Sequence, residues 1–170
     1  MTWHLDKTDL KLIDLLSQKG RMRRNELAEE VGLSIPSVSE RLEKLERREV
    51  IKGYTVIIDE KKLGYDIISF ITINVESSKH YQSLIKHIQH EDEVLECYSI
   101  TGSGSHLVKA MTQNTASLEK LLARIQAWPG VIGTQTSLVL STTKHASNIK
   151  AEKAFKDIEK IRFEESTVNK

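Results

Sequence analysis

Cysteine is almost missing from the chain. Cys97 is the only one in 170 residues, so there is no intrachain disulfide and no metal site built on paired thiolates, as suits a reducing compartment. Cys97 itself reads as a small buried hydrophobe. Long apolar runs are missing too, so no segment reads as a membrane-spanning helix. Met1, Thr2, Trp3 and His4 lead directly to the charged Asp6 and Lys7, where a signal peptide would have its apolar core. The expectation is a cytoplasmic protein without a membrane partner. Net charge is nearly absent: 25 Lys and Arg against 24 Asp and Glu give +1, which exerts no global pull on nucleic acid and leaves any such binding to local patches. There is no repeat of fixed period and no low-complexity tract. What is present is a hydrophobic content of 39%, sufficient for the core of one ordinary domain or two small ones.

Up to about residue 52 the apolar residues recur at helical spacing, and from residue 54 onward short Ile, Val and Thr-rich runs alternate with helical stretches. The first helix is capped by Asp6 with Asp9 three residues later, stapled by Leu5 and Leu10, and stopped by Gly20. Its inward stripe is Leu12, Ile13 and Leu16. A second helix over 25–31 turns Leu27, Ala28 and Val31 inward and ends at Gly32. Ser34 caps a third helix, Pro36 falls in its first turn, and Val38, Leu42 and Leu45 make its inward stripe. Ala28, Gly32 and Val38 supply the close approach, the sharp turn and the docking residue of a helix-turn-helix, whose third helix stands ready for a major groove. Its outward side carries Pro36, Ser37, Glu40, Glu43, Lys44 and Arg47, with Ser39 and Arg41 on the flanks. Arg21, Arg23 and Arg24 cluster at the entrance of the second helix, where positive charge opposes the helix dipole, so phosphate accounts for them better than stability does. A solvated helical surface would carry a similar overall charge count.

These residues identify a family. Leu5-Asp6 with Asp9, Gly20-Arg21, Glu26-Leu27-Ala28, Val31-Gly32-Leu33-Ser34, Val38 with Arg41, and Ile51-Lys52-Gly53-Tyr54 resemble the N-terminal region of the Lrp/AsnC (feast/famine) transcription regulators. The likeness continues more loosely to about residue 145. It implies a sequence-specific DNA-binding regulator, not an enzyme, in which Ser37, Ser39, Glu40 and Arg41 approach base edges, with Ser34 and Pro36 beside them. Arg21, Arg23, Arg24, Lys44 and Arg47 would hold phosphates. Some relatives of this family are sirohaem decarboxylase subunits with the same layout, but the chain shows no compact acid/base constellation.

The second half, from its own pattern, predicts strands over 67–75, 94–101, 106–112 and 131–140 and helices over 79–90 and 116–128. This βαββαβ order is ferredoxin-like. The expected class is α+β: a winged-helix-like three-helix domain over 1–53, a linker strand or hinge over 54–66, a ferredoxin-like domain over 67–145, and a charged extension over 146–170. The resemblance implies pairing of two such domains through their sheets and assembly into an octamer of four dimers, without a cofactor. Beyond the usual end of the family, Phe155, Ile158 and Ile161 fall on one side of a helix if residues 151–170 form one.

The resemblance also aligns the effector turn of the family, Gly-Asp-Tyr/Phe-Asp, with Gly102-Ser103-Gly104-Ser105; His106, Thr134 and Thr136 complete the implied amino-acid site. Both acidic positions are serine here, and a serine hydroxyl cannot neutralise an ammonium group. A linker is excluded by the flanking strands, and a phosphate loop would require a following helix. An altered effector turn and a plain tight turn both remain open. His80, His87 and His90 lie on one predicted helix without a carboxylate or cysteine to join them, which reads as a solvated flank and not a metal site.

Overall fold

A computed structural model describes residues 4–144, 150, 151 and 153. The chain divides into two compact units, Met1–Ile57 with His145–Lys170, and Ile58–Lys144.

The first unit contains helices α1 (Lys7–Gln18), α2 (Arg24–Val31) and α3 (Ile35–Arg47). Each boundary has a local cause. Asp6 Oδ1 accepts from the Asp9 N–H at 2.8 Å, and Asp9 Oδ2 accepts from the Asp6 N–H at 3.2 Å, a reciprocal cap on α1. Gly32 closes α2 at φ +68°, in the left-handed region open to glycine, with the Leu33 N–H donating to the Ala28 carbonyl at 3.0 Å. Ser34 Oγ accepts from the Ser37 N–H at 3.3 Å to start α3, and Pro36 takes a first-turn position. Leu12, Leu27, Ala28, Val38, Leu42 and Leu45 form one buried cluster, which contains the whole inward stripe of α3. Residues 52–59 form no strand, because nothing in the described chain lies alongside to complete a ladder.

The second unit contains β1 (Ile67–Val75), α4 (Tyr81–Gln89), β2 (Val94–Ser99), β3 (His106–Thr112), α5 (Thr115–Gln126) and β4 (Val131–Leu138). A 3-10 turn, Ser78–His80, precedes α4, so the predicted helix start at 79 becomes two elements. The strands form an antiparallel sheet in the order β2-β3-β1-β4, the ferredoxin-like arrangement. Ile71 faces Val108 and Thr136, and Ile73 faces His106 and Thr134. Ile71, Ile73, Val108 and Ala110 pack against Leu84, Ile88, Leu118, Leu121 and Ile125 of the two helices. Alternate residues, Phe70, Thr72, Leu107 and Lys109, therefore face away from the helices. Arg124 on α5 ties down the α4–β2 connection through ion pairs with Glu91, at 2.8 Å, and Glu93. Cys97 is exposed, contrary to its reading as a core residue, because β2 is an edge strand.

One polar contact in the first unit governs how α3 is carried. Arg41 Nη1 lies 2.7 Å from Asp6 Oδ2 and 2.7 Å from Asp9 Oδ1. The Asp9 side chain is only 6% exposed, and a carboxylate so placed requires a cation or several donors. Burial opposes ionisation of Asp6, but the Asp9 N–H and the Arg41 guanidinium outweigh it and hold this carboxyl below its ordinary range. A depressed folded-state value means that the stabilisation is complete above the unfolded value near 4 and is lost as pH falls through the folded one. Arg41→Met should lower urea-unfolding stability at pH 7 by about 2 kcal/mol, below the range for a fully buried pair because Arg41 and Asp6 are partly exposed. The gap between parent and variant should narrow below about pH 4.

Candidate nucleic-acid interface and effector turn

Burying Val38, Leu42 and Leu45 leaves the opposite side of α3 to solvent. Ser34, Pro36, Glu40, Glu43 and Arg47 are exposed, and Ser37, Ser39, Arg41 and Lys44 are half-buried. Arg21, Arg23 and Arg24 are all exposed beside the start of α2. The Arg23 N–H donates to Glu26 Oε2 at 2.7 Å. That bond and the Lys19 ammonium, 3.3 Å from Glu26 Oε1, draw the Glu26 carboxyl below its usual range. Glu26 thus does the capping that an arginine at this boundary does not supply. Arg24 Nη1 donates to Ser39 Oγ at 3.0 Å, and Ser39 Oγ donates to the Ile35 carbonyl at 3.0 Å. One guanidinium therefore bridges the start of α2 and the first turns of α3.

The sequence expectation assigned Ser37, Ser39, Glu40 and Arg41 alike to base edges, but their surroundings differ. Glu40 and Pro36 project into solvent, whereas Ser37 Oγ lies 2.9 Å from Ser34 Oγ. Ser39 is engaged by Arg24, and Arg41 by the Asp6 and Asp9 carboxylates. Arg41 is a positioning residue for α3, since a buried carboxylate on α1 demands its charge. Tyr54, which sequence reasoning passed over as a site residue, donates its hydroxyl to Glu46 Oε1 at 2.8 Å. Burial and that carboxylate push its phenol up to about 12. This bond fastens the segment after α3 to the last turn of the helix.

In the second unit, the turn between β2 and β3 lies against the end of β1. The Ser105 N–H and Oγ–H both donate to the Ile73 carbonyl, at 3.1 and 3.0 Å, and the Ile100 N–H donates to the Ser105 carbonyl at 3.1 Å. Gly102 has φ +109°. A Cβ on Gly104 would lie 2.1 Å from Thr72 Cγ2, so the turn passes too close to the sheet for any side chain there. Around it is a shallow depression of about 470 Å³ bordered by Asn74, Tyr81, Ile100, Ile132 and the turn itself. Asn74, Tyr81, Ile100 and Ile132 were not foreseen; the polar Asn74 near the end of the apolar β1 is the one signal that the sequence carried.

The effector residues named from the sequence divide. Gly102, Ser103, Gly104 and Ser105 border the depression. Ser103 is exposed, while Ser105 spends its hydroxyl on the Ile73 carbonyl and lies 3.2 Å from His106 Nδ1. His106 is buried, edge-on to Tyr81 with ring centroids 4.8 Å apart, and burial pushes its pKa down. Its Nε2 has no hydrogen-bond partner among the described residues. Thr134 and Thr136 do not border the depression: their register with Ile73 and Ile71 turns them to the helix side, where Gln126 Nε2 donates to Thr134 Oγ1 at 3.0 Å. His87 and His90 each engage a carbonyl four residues earlier at 2.7 Å, and His80 lies 3.4 Å from Glu76. Gly104→Ala should destabilise this unit by about 1–3 kcal/mol through overpacking, and adding Thr72→Ser, which removes the obstructing methyl, should restore most of the loss in urea unfolding.

A profile of the Lrp/AsnC ligand binding domain matches residues 68–149, and one of a winged helix-turn-helix DNA-binding domain matches residues 5–52. Regulatory protein AsnC of Haemophilus influenzae is 39% identical over 134 residues, covering 78% of this chain and 89% of that protein. HTH-type transcriptional regulator FL11 of Pyrococcus horikoshii is 35% identical over 145 residues, covering 85% and 95%. Among solved structures, Escherichia coli AsnC superposes with a TM-score of 0.81 at 31% identity, covering 87% of this chain and 99% of its own. The transcriptional regulator NMB0573 of Neisseria meningitidis, solved as an L-Met complex, superposes with a TM-score of 0.82 at 26% identity, covering 86% and 96%. The chain therefore belongs to the Lrp/AsnC family of helix-turn-helix transcription regulators.

Proposed function

We propose that this regulator reads double-stranded DNA through the first turns of α3, with Pro36, Ser37 and Glu40 at base edges and Arg21, Arg23, Arg24, Lys44 and Arg47 on the flanking phosphates. The observation that carries this reading is the complete burial of Val38 and Leu45 beneath an exposed outer side flanked by the exposed Arg21, Arg23 and Arg24. Glu40 accepts from a cytosine amine, a contact that carries sequence information, whereas the arginines neutralise phosphates of any sequence. Two copies pair through the open sheet face, where Phe70 and Tyr98 remain 38% and 49% exposed, and pairing would present two recognition helices to a pseudo-palindromic operator. As a regulator of DNA in a chain with a single thiol, it works in the cytoplasm.

The depression beside the β2–β3 turn takes a small effector of amino-acid size. NMB0573 was solved with L-Met. Here the border of the depression carries Asn74 and Ser103 and no carboxylate, so an ammonium group would be met only by neutral acceptors. The preferred effector presents a neutral hydrogen-bonding group to this turn, and free amino acids bind weakly.

Anisotropy titrations with a selected operator and a scrambled duplex test the DNA reading. Arg23→Ala should weaken binding to both and reduce the salt slope by about 0.9. Glu40→Gln should leave that slope unchanged and alter the preference between the two duplexes. Parent-like behaviour of both variants would refute the placement. For the effector, Ser103→Asp should convert a negligible thermal shift with millimolar amino acids into a measurable rise for at least one of them, since a ligand of the folded state must raise the midpoint.

A further inference from the structure

Helix α3 ends in a turn that its residues do not favour. Glu49 has φ +56°, in the left-handed region that a Cβ makes costly. Its N–H donates to the Glu46 carbonyl at 2.9 Å, and the Val50 and Ile51 N–H groups donate to the Leu45 carbonyl at 3.0 and 3.2 Å. This is the pattern of a helix stop that glycine usually closes. With glutamate in that place, it persists only where the residues after it are held down.

Two contacts hold them. Ile51 packs against the buried cluster of the first unit, and the Tyr54 hydroxyl returns to the last turn of α3, donating to Glu46 Oε1 at 2.8 Å. The Tyr54 ring borders a depression of about 260 Å³ together with Leu16 of α1, Arg24 of α2 and Leu42 of α3. Past Tyr54 the chain is open to solvent: residues 52–59 form no helix or strand, and Val56 and Ile57 are 72% and 84% exposed. The stretch of the first unit that begins at Met1 ends at Ile57. The Tyr54 bond therefore determines how much of the connection is slack. With the bond made, residues 55–57 are slack; with it broken, the chain is free after Ile51 and the slack covers residues 52–57. The added stretch, 52–54, lengthens the reach by about 10 Å, the rise of about three base pairs.

We propose that Tyr54 sets the operator spacing that this regulator accepts, because its bond to Glu46 straps the segment after α3 to the DNA-binding unit and keeps each recognition helix on a short tether. The proposal rests on the reading in which two copies present α3 to two half-sites. Tyr54 is a positioning residue that acts through the placement of α3. The outer side of α3 is the same with the strap open or closed, so affinity for a single half-site does not depend on it.

Anisotropy titrations test this with a selected operator, the same operator with two base pairs inserted between its half-sites, and a duplex carrying one half-site. The insertion moves one half-site by about 7 Å and turns it by about 70°. The parent should lose about tenfold or more in affinity on insertion, as simultaneous engagement fails, whereas Tyr54→Phe and Glu46→Ala should lose no more than about threefold. All three should bind the single half-site within about twofold of one another, which shows the DNA-binding unit intact. Glu46→Gln, which keeps an oxygen to accept from the hydroxyl, should behave as the parent. A loss on insertion as large in Tyr54→Phe and Glu46→Ala as in the parent would overturn the proposal and leave the paired reading standing. A parent indifferent to the insertion would overturn both.

Discussion

Asp9 brings a carboxylate into the contact between α1 and α3, and the arrangement of the DNA-binding unit follows from the charge that answers it. The apolar stripe of Val38, Leu42 and Leu45 buries α3 but does not by itself choose its rotation or its slide along α1, because apolar contacts are non-directional. A guanidinium held at 2.7 Å from two carboxylates does choose them. The same two aspartates cap α1 reciprocally, so the start of one helix and the orientation of another share a single polar cluster. Arg24 makes a second link, from α2 to Ser39. Between them, these contacts set which residues of α3 face outward, and that outward set is the chemistry available to DNA.

The second unit answers a similar constraint in backbone terms. The β2–β3 turn is fastened to the Ile73 carbonyl by both polar groups of Ser105, and it approaches Thr72 so closely that only glycine fits at 104. The result is a neutral loop pressed onto the sheet. Ser105 serves the fold and Ser103 faces the depression, so two serines that look equivalent in sequence have different tasks.

Local signals were legible and distant ones were not. Caps at Asp6 and Ser34, the glycine stop at 32 and the helical stripes were enough to foresee α1 to α3, and period-two runs marked β1 and β3 at their observed limits. The C-terminal ends of β2, α5 and β4 each fell two residues inside expectation, because pairing and hydrogen bonding stop before the next turn residue is reached. The ion pairs of Arg41 were not legible because its partners lie 35 and 32 residues away, beyond any periodicity. The inward turn of Thr134 and Thr136 depends on the pairing of β4 with β1, and the need for Gly104 depends on Thr72; neither is visible until the register is known. Cys97 looked apolar enough for a core, but edge position and not residue type decides its exposure.

Methylation interference on a DNA fragment selected by the protein tests the central claim most directly, because guanine N7 lies in the major groove. If the outer side of α3 reads base edges, premethylation should block binding at a few guanines grouped in two patches about one helical turn apart, or a multiple of it. Binding untouched by N7 methylation, with interference confined to the minor groove or to phosphates, would contradict the account.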